Sequence, residues 1–264
     1  MVNDFRSRLV NFVPKGKRHM KLVLITGANK GIGFETAKQL LEKGWYVYLG
    51  SRDRERGQQA ADQLKGMGLP HVEALELDVT SDDSVREARA ELGRKTAVLD
   101  VLINNAGING GPPYTALEAA PAQFAATFDT NVTGAARVTK AFLDLLKQSA
   151  APRIVNVSTS VGSLTLQSDP DWPAYHYGKY AVYAASKAAL NMYTVHLAYE
   201  LRDTRIKVNA VCPGYTKTDF TGHQGGAVSV AGARIVKYAL LDDDGVSGAF
   251  ISEETNPATG VIPW

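Results

Sequence analysis

Tyr183 and Lys187 stand four residues apart in Tyr183-Ala184-Ala185-Ser186-Lys187. On a helix that spacing brings a phenol and an ammonium onto one face. A phenol ionises near about 10, and an adjacent cation favours the phenolate, which moves proton transfer closer to a working pH. The pair suits a step in which a proton passes to or from a substrate oxygen. Tyr175 and Lys179 share the spacing, so spacing alone does not choose between them. Only Tyr183 runs on into Ala188-Ala189-Leu190-Asn191, a good helical stretch, whereas Tyr175 sits beside Pro173 in a loop-like segment. Tyr183 and Lys187 are the expected pair.

A second chemical feature lies near the start, in Thr26-Gly27-Ala28-Asn29-Lys30-Gly31-Ile32-Gly33. It follows an apolar strand-like run and opens a helical pattern. Glycines at 27, 31 and 33 let a backbone turn tightly and approach a pyrophosphate at a helix N-terminus. A dinucleotide is the expected ligand. Where an acidic residue would receive the ribose hydroxyls of NAD, the chain has Ser51-Arg52-Asp53, then Arg54 and Arg56. A basic residue there favours a 2′-phosphate, so NADPH is the expected cofactor, with Arg52 the main contact and Lys30 and Arg56 its neighbours. Asp53 is the residue that could serve NAD instead.

Positioning these groups requires a scaffold, and the chain supplies one by alternation. Apolar runs at Leu22 to Ile25, Trp45 to Leu49, Val72 to Leu77, Val98 to Ile103, Arg153 to Val157, Ile206 to Val211 and Ala249 to Ile251 read as strands. Helical patterns fall between them at about Ile32 to Lys43, Arg54 to Lys65, Asp82 to Leu92, Pro121 to Lys147, Tyr180 to Leu201 and Val228 to Tyr238. The expectation is an α/β fold: a single Rossmann-type doubly wound domain over residues 20–264, with a parallel sheet of about seven strands covered on both faces.

Five further segments occur in a set order, and with the above they resemble the short-chain dehydrogenase/reductase family over essentially the whole chain from Met20. They are Asp78-Val79 after the third strand, Asn104-Asn105-Ala106-Gly107 after the fourth, Asn131 in Thr130-Asn131-Val132-Thr133-Gly134, the Tyr183/Lys187 segment, and Cys212-Pro213-Gly214-Tyr215-Thr216-Lys217-Thr218-Asp219. The resemblance implies that Asp78 and Val79 meet the adenine and that Asn105, Ala106 and Gly107 support the sheet and the cofactor ribose. It implies that Pro213, Gly214, Thr216 and Thr218 grip the nicotinamide carboxamide and phosphates. Catalysis would fall to Tyr183 as acid, Lys187 beside it holding the nicotinamide ribose, and Asn131 with a water linking Lys187 to solvent. The family's fourth member is a serine before a glycine. Here Asn156-Val157-Ser158-Thr159-Ser160-Val161-Gly162 places Thr159 at that position, with Ser160 one residue away as the alternative. Asn29-Lys30, the run to Arg56, the Pro-Gly segment and the ending at Trp264 look most like the carbonyl reductases. The resemblance therefore implies NADPH-dependent reduction of ketones, aldehydes or quinones. An alcohol dehydrogenase working oxidatively and a non-catalytic dinucleotide sensor are the alternatives.

Composition sets the outer bounds. The chain has 264 residues, of which 45% are hydrophobic, and a net charge of +2 from 29 basic and 27 acidic residues. That balance gives no footprint for nucleic acid, so a small-molecule partner is expected. No run approaches the roughly 20 apolar residues of a membrane span. Cys212 is the only cysteine, so no cysteine cluster holds zinc; no metal is expected, and a reducing cytoplasm suits the chain. Residues 1–19, with five basic residues among Val10, Phe12 and Val13, read as a mobile extension or as an amphipathic surface helix. An insertion at about 163–180 carries Trp172, Pro173, Tyr175, His176 and Tyr177, which either roof a pocket or pack on the helices. Monomer and homo-oligomer both remain open.

Overall fold

The computed structural model describes residues 20–264; the expected N-terminal extension lies outside the described residues. The elements follow the expected alternation: β1 (Leu22–Ile25), α1 (Gly31–Glu42), β2 (Tyr46–Ser51), α2 (Arg54–Gly66), β3 (Val72–Glu76), α3 (Asp82–Lys95) and β4 (Val101–Asn104). Then come α4 (Pro121–Phe128), α5 (Gly134–Leu146), β5 (Arg153–Val157), α6 (Leu164–Ser168), α7 (Ala181–Glu200), β6 (Lys207–Val211), α8 (Val228–Ala239) and β7 (Phe250–Ile251). All seven strands pair in parallel, in the order β3-β2-β1-β4-β5-β6-β7.

The strands read as continuous apolar runs because alternate side chains feed two separate cores. Val23, Ile25, Val47, Leu49 and Ile103 pack against α1, α2 and α8 through Leu40, Leu64 and Ile235. Leu24, Leu102, Ile154 and Val208 pack on the other face against α3, α5 and α7 through Leu92, Phe142 and Leu197. The order reverses direction between β1 and β4, and in such sheets ligands bind outside the carboxyl ends of the strands at that point.

The long helix expected from Pro121 to Lys147, which the resemblance breaks locally at Asn131, is interrupted there by a π-helical turn at Asp129–Thr133, with α4 before it and α5 after it. No helix among the described residues is long and apolar enough to cross a membrane.

Candidate active site

Helix α7 carries Tyr183 and Lys187 over the carboxyl end of β5. Lys187 Nζ donates to the carbonyl of Val157, the last residue of that strand, at 2.7 Å, and lies 5.7 Å from the centroid of the Tyr183 ring. Only 4% of Lys187 is exposed, and burial pulls its ammonium down to about 8. Burial also holds the Tyr183 phenol well above its ordinary value, the reverse of the lowering expected from the neighbouring Lys187 cation. At neutral pH the phenol keeps its proton and Lys187 is mostly cationic. The competing pair is not on a helix: Lys179 donates to the Gln167 carbonyl and side chain at 2.9 Å each and sits over the Tyr175 ring.

The π turn explains where Asn131 goes. An extra residue in a helical turn rotates one side chain inward, and Asn131 is buried there with all its strong hydrogen-bonding groups in use. Its Oδ1 accepts from Ile108 N at 2.8 Å. Its Nδ2 donates to the Ile108 carbonyl and to Ser186 Oγ, both at 2.9 Å. Ser186 in turn donates to the Tyr183 carbonyl at 2.7 Å, so Asn131 is tied to α7 between the two expected catalytic residues. Gly107 keeps open the space beside them: a methyl group there would stand 3.3 Å from Asn131 Oδ1 and 3.6 Å from Lys187 Nζ.

After β5, Ser158 Oγ is committed to Asn191 Oδ1 at 2.6 Å. Thr159 Oγ1 receives only a long contact from Val161 N, 3.4 Å, and the residue is partly exposed. Ser160 is buried as the first residue of a 3₁₀ turn over Ser160–Gly162, which packs on α7 at Lys187 and Ala188.

The glycine loop is held by a set of short contacts. Thr26 Oγ1 accepts from the amides of Asn105 and Ala106 at 3.0 Å each. Asn105 Nδ2 returns bonds to the carbonyls of Thr26 and Gly27. Gly27 and Gly31 take φ of +60° and +59°, and Gly33 is needed for space, since a methyl would stand 2.5 Å from Asn105 Nδ2 and 2.8 Å from the Gly27 carbonyl. The loop feeds Asn29, Lys30, Gly31 and Ile32 into the start of α1, where no side chain caps the helix and no acidic residue sits in the first turn. The first-turn amides are therefore available to an anion, and the cradle fits a phosphate.

The expected cations divide. Arg52 is exposed and among the described residues has no ion-pair partner. Arg56 instead pairs with Asp53 at 3.3 Å, and Asp53 caps α2 by accepting from Arg56 N at 3.0 Å. Lys30 donates to Asp219 Oδ2 at 2.8 Å, joining the glycine loop to the loop after β6. Asp78 accepts from Thr80 N and Thr80 Oγ1, while Val79 packs against Gly134. Beyond β6, Pro213 and Gly214 turn the chain, Thr216 buries its hydroxyl on the Gly214 carbonyl at 2.9 Å, and Thr218 starts a 3₁₀ turn over Asp219–Thr221. In that turn Phe220 lies 5.3 Å from the Tyr183 ring, centroid to centroid.

A model of the short chain dehydrogenase family matches residues 21–227. The chain belongs to that family. As a short chain dehydrogenase it is an oxidoreductase, and its relatives include (−)-isopiperitenone reductase of Mentha piperita, 34% identical over 89% of this chain and 96% of that protein. Salutaridine reductase of Papaver bracteatum is 32% identical over 90% of this chain and 96% of that one. Among solved structures, NADPH-bound carbonyl reductase from chicken fatty liver aligns with a TM-score of 0.78 at 29% identity, covering 93% of this chain and 99% of that chain.

Sequence reading passed over several residues that build this short chain dehydrogenase's site. Ser186 lies inside the Tyr183/Lys187 segment and bridges Asn131 to it; a serine on an otherwise apolar helical stretch was the available signal. Thr26, at the edge of the glycine loop, organises that loop. Phe220 has no local signal, because its contact depends on where the loop after β6 falls. In the 163–180 insertion, Trp172 is buried and Tyr177 is exposed.

Proposed function

We propose that this protein reduces a ketone, aldehyde or quinone with NADPH, with Tyr183 giving the proton. The observation that carries the reading is the Tyr183 ring 5.7 Å from the buried Lys187 Nζ, in a fold whose α1 N-terminus no side chain caps. Gly27, Asn29, Gly31, Ile32 and Gly33 would hold the pyrophosphate, and Arg52 the 2′-phosphate, supported by its lack of another ion-pair partner among the described residues. Lys30 and Arg56 would join only by leaving Asp219 and Asp53. Asp78 and Val79 would meet the adenine, Asn105, Ala106 and Gly107 the ribose, and Pro213, Gly214, Thr216 and Thr218 the nicotinamide end. NADPH in the chicken reductase supports the same choice of cofactor.

When bound, NADPH supplies a hydride to the carbonyl carbon. Tyr183 gives its proton to the carbonyl oxygen, and the Lys187 cation stabilises the phenolate left behind. Thr159 donates a hydrogen bond to the same oxygen, since its hydroxyl hydrogen is uncommitted; Ser160 is buried one residue further on. Asn131 fixes the Ile108 segment and α7 relative to each other, which sets the depth of Lys187 and the route by which a proton returns to Tyr183. The test is the initial rate of NADPH and of NADH consumption with a panel of quinones, aldehydes and ketones. Turnover that prefers NADPH is expected. Turnover found only with alcohols and oxidised NAD, or none while NADPH binds, would overturn the reading.

A further inference from the structure

The turn after β6 is gripped from outside by two residues of opposite charge. Arg234, on α8, donates from Nη1 to the Pro213 carbonyl at 2.8 Å. Glu254, in the segment after β7, accepts from Tyr215 N through Oε2 at 3.0 Å. The two side chains approach to 3.8 Å, and Arg234 is only 18% exposed. Gly214 lies between them at φ +92°, where a methyl would run into Arg234 Nη1 and stand 2.8 Å from Glu254 Oε1. One guanidinium and one carboxylate thus hold the carbonyl before Gly214 and the amide after it. Together with the Thr216 hydroxyl on the Gly214 carbonyl and the Gly226 amide on the Tyr215 carbonyl, these contacts fix both peptide planes of the turn.

We infer that Arg234 and Glu254 are positioning residues for the nicotinamide end of the cofactor, acting through the Pro213-Gly214-Tyr215 turn without touching the cofactor themselves. The inference rests on the proposed NADPH reading and adds two residues to it. A turn held at both peptides presents its groups to the nicotinamide half without first having to be ordered, so the clamp acts on the affinity for that half alone. The adenine and its 2′-phosphate would be held by the β2 and β3 ends, away from the Pro213-Gly214-Tyr215 turn, and are expected to sense the clamp much less.

The experiment compares dissociation constants of NADPH and of adenosine 2′,5′-bisphosphate, which lacks the nicotinamide, for the full chain and for Arg234→Leu, Arg234→Lys and Glu254→Gln. Arg234→Leu is expected to weaken NADPH by about tenfold, the loss of one charge-assisted hydrogen bond, and to leave the bisphosphate unchanged. Arg234→Lys restores most of the NADPH affinity. Glu254→Gln, which keeps an acceptor for Tyr215 N, gives a smaller loss with the same selectivity, and it stands in if Arg234→Leu fails to fold. Equal weakening of both ligands, or no weakening of NADPH, overturns the inference, whatever the melting temperature does. If the unaltered protein binds neither ligand, the cofactor reading fails first and carries this inference with it.

Discussion

Replacing Lys187 with methionine should make the cofactor-free protein more stable while destroying its activity. Lys187 is a buried ammonium with one hydrogen bond, to the Val157 carbonyl. Burial moves it from 10.5 to about 8, which corresponds to about 3 kcal/mol of destabilisation at neutral pH. Methionine keeps the length of the stem and removes the charge; the lost bond to Val157 returns about 1 kcal/mol of cost. The variant should therefore be about 2 kcal/mol more stable near pH 7. The sign follows from where the proton sits. Below the folded value both states are protonated and the cost is fully present. Between about 8 and 10.5 the unfolded chain keeps a proton that the folded protein sheds, so the unaltered protein gains stability as pH rises. The methionine variant's advantage should shrink to nearly nothing by about pH 9.5. Burial keeps the Tyr183 phenol protonated in the folded state at both pH values, and groups away from Lys187 titrate alike in both proteins and cancel in the difference. Urea unfolding of both proteins at the two pH values measures it. A variant that is less stable near neutral pH, or whose advantage does not change with pH, would refute the claim that Lys187 is held as a desolvated cation.

Gly33→Ala should destabilise by about 3 kcal/mol, because the new methyl forces Asn105 off the Thr26 and Gly27 carbonyls; the denaturant midpoint reports it. Arg52→Ala should raise KM for NADPH by about tenfold or more and leave KM for NADH nearly unchanged, and equal effects on both would remove Arg52 from the 2′-phosphate. Trp172→Ala should cost about 3 kcal/mol of stability through its buried indole and leave the ranking of carbonyl substrates as it was; a changed ranking would mean that the insertion roofs the pocket.

The strands and most helices were legible because the sheet is buried on both faces, so each strand is a short apolar run between turn residues. Boundaries moved where polar contacts intervene. The fourth strand begins at Val101 and not Val98, since Thr96 turns onto Val98 and the Asp100 carboxylate is taken up by Leu22 N and Ser149. The break at Asn131 was legible through the resemblance and through asparagine being a poor mid-helix residue, whereas its form as a π turn over Asp129–Thr133 was not. At the site, Tyr183 could be separated from Tyr175 because helix propensity differs around them. Lys30 with Asp219, 189 residues apart, could not be paired in advance. Arg234 reads in the sequence as one basic residue on a helix, and its role depends on the path of a turn far from it in the chain.

The most direct test of the central claim is the rate of NADPH consumption with an accepted carbonyl substrate for Tyr183→Phe beside the unaltered protein, with NADPH affinity measured on both. The account predicts that turnover is lost and NADPH still binds as tightly. Turnover that survives the loss of the Tyr183 hydroxyl would contradict it.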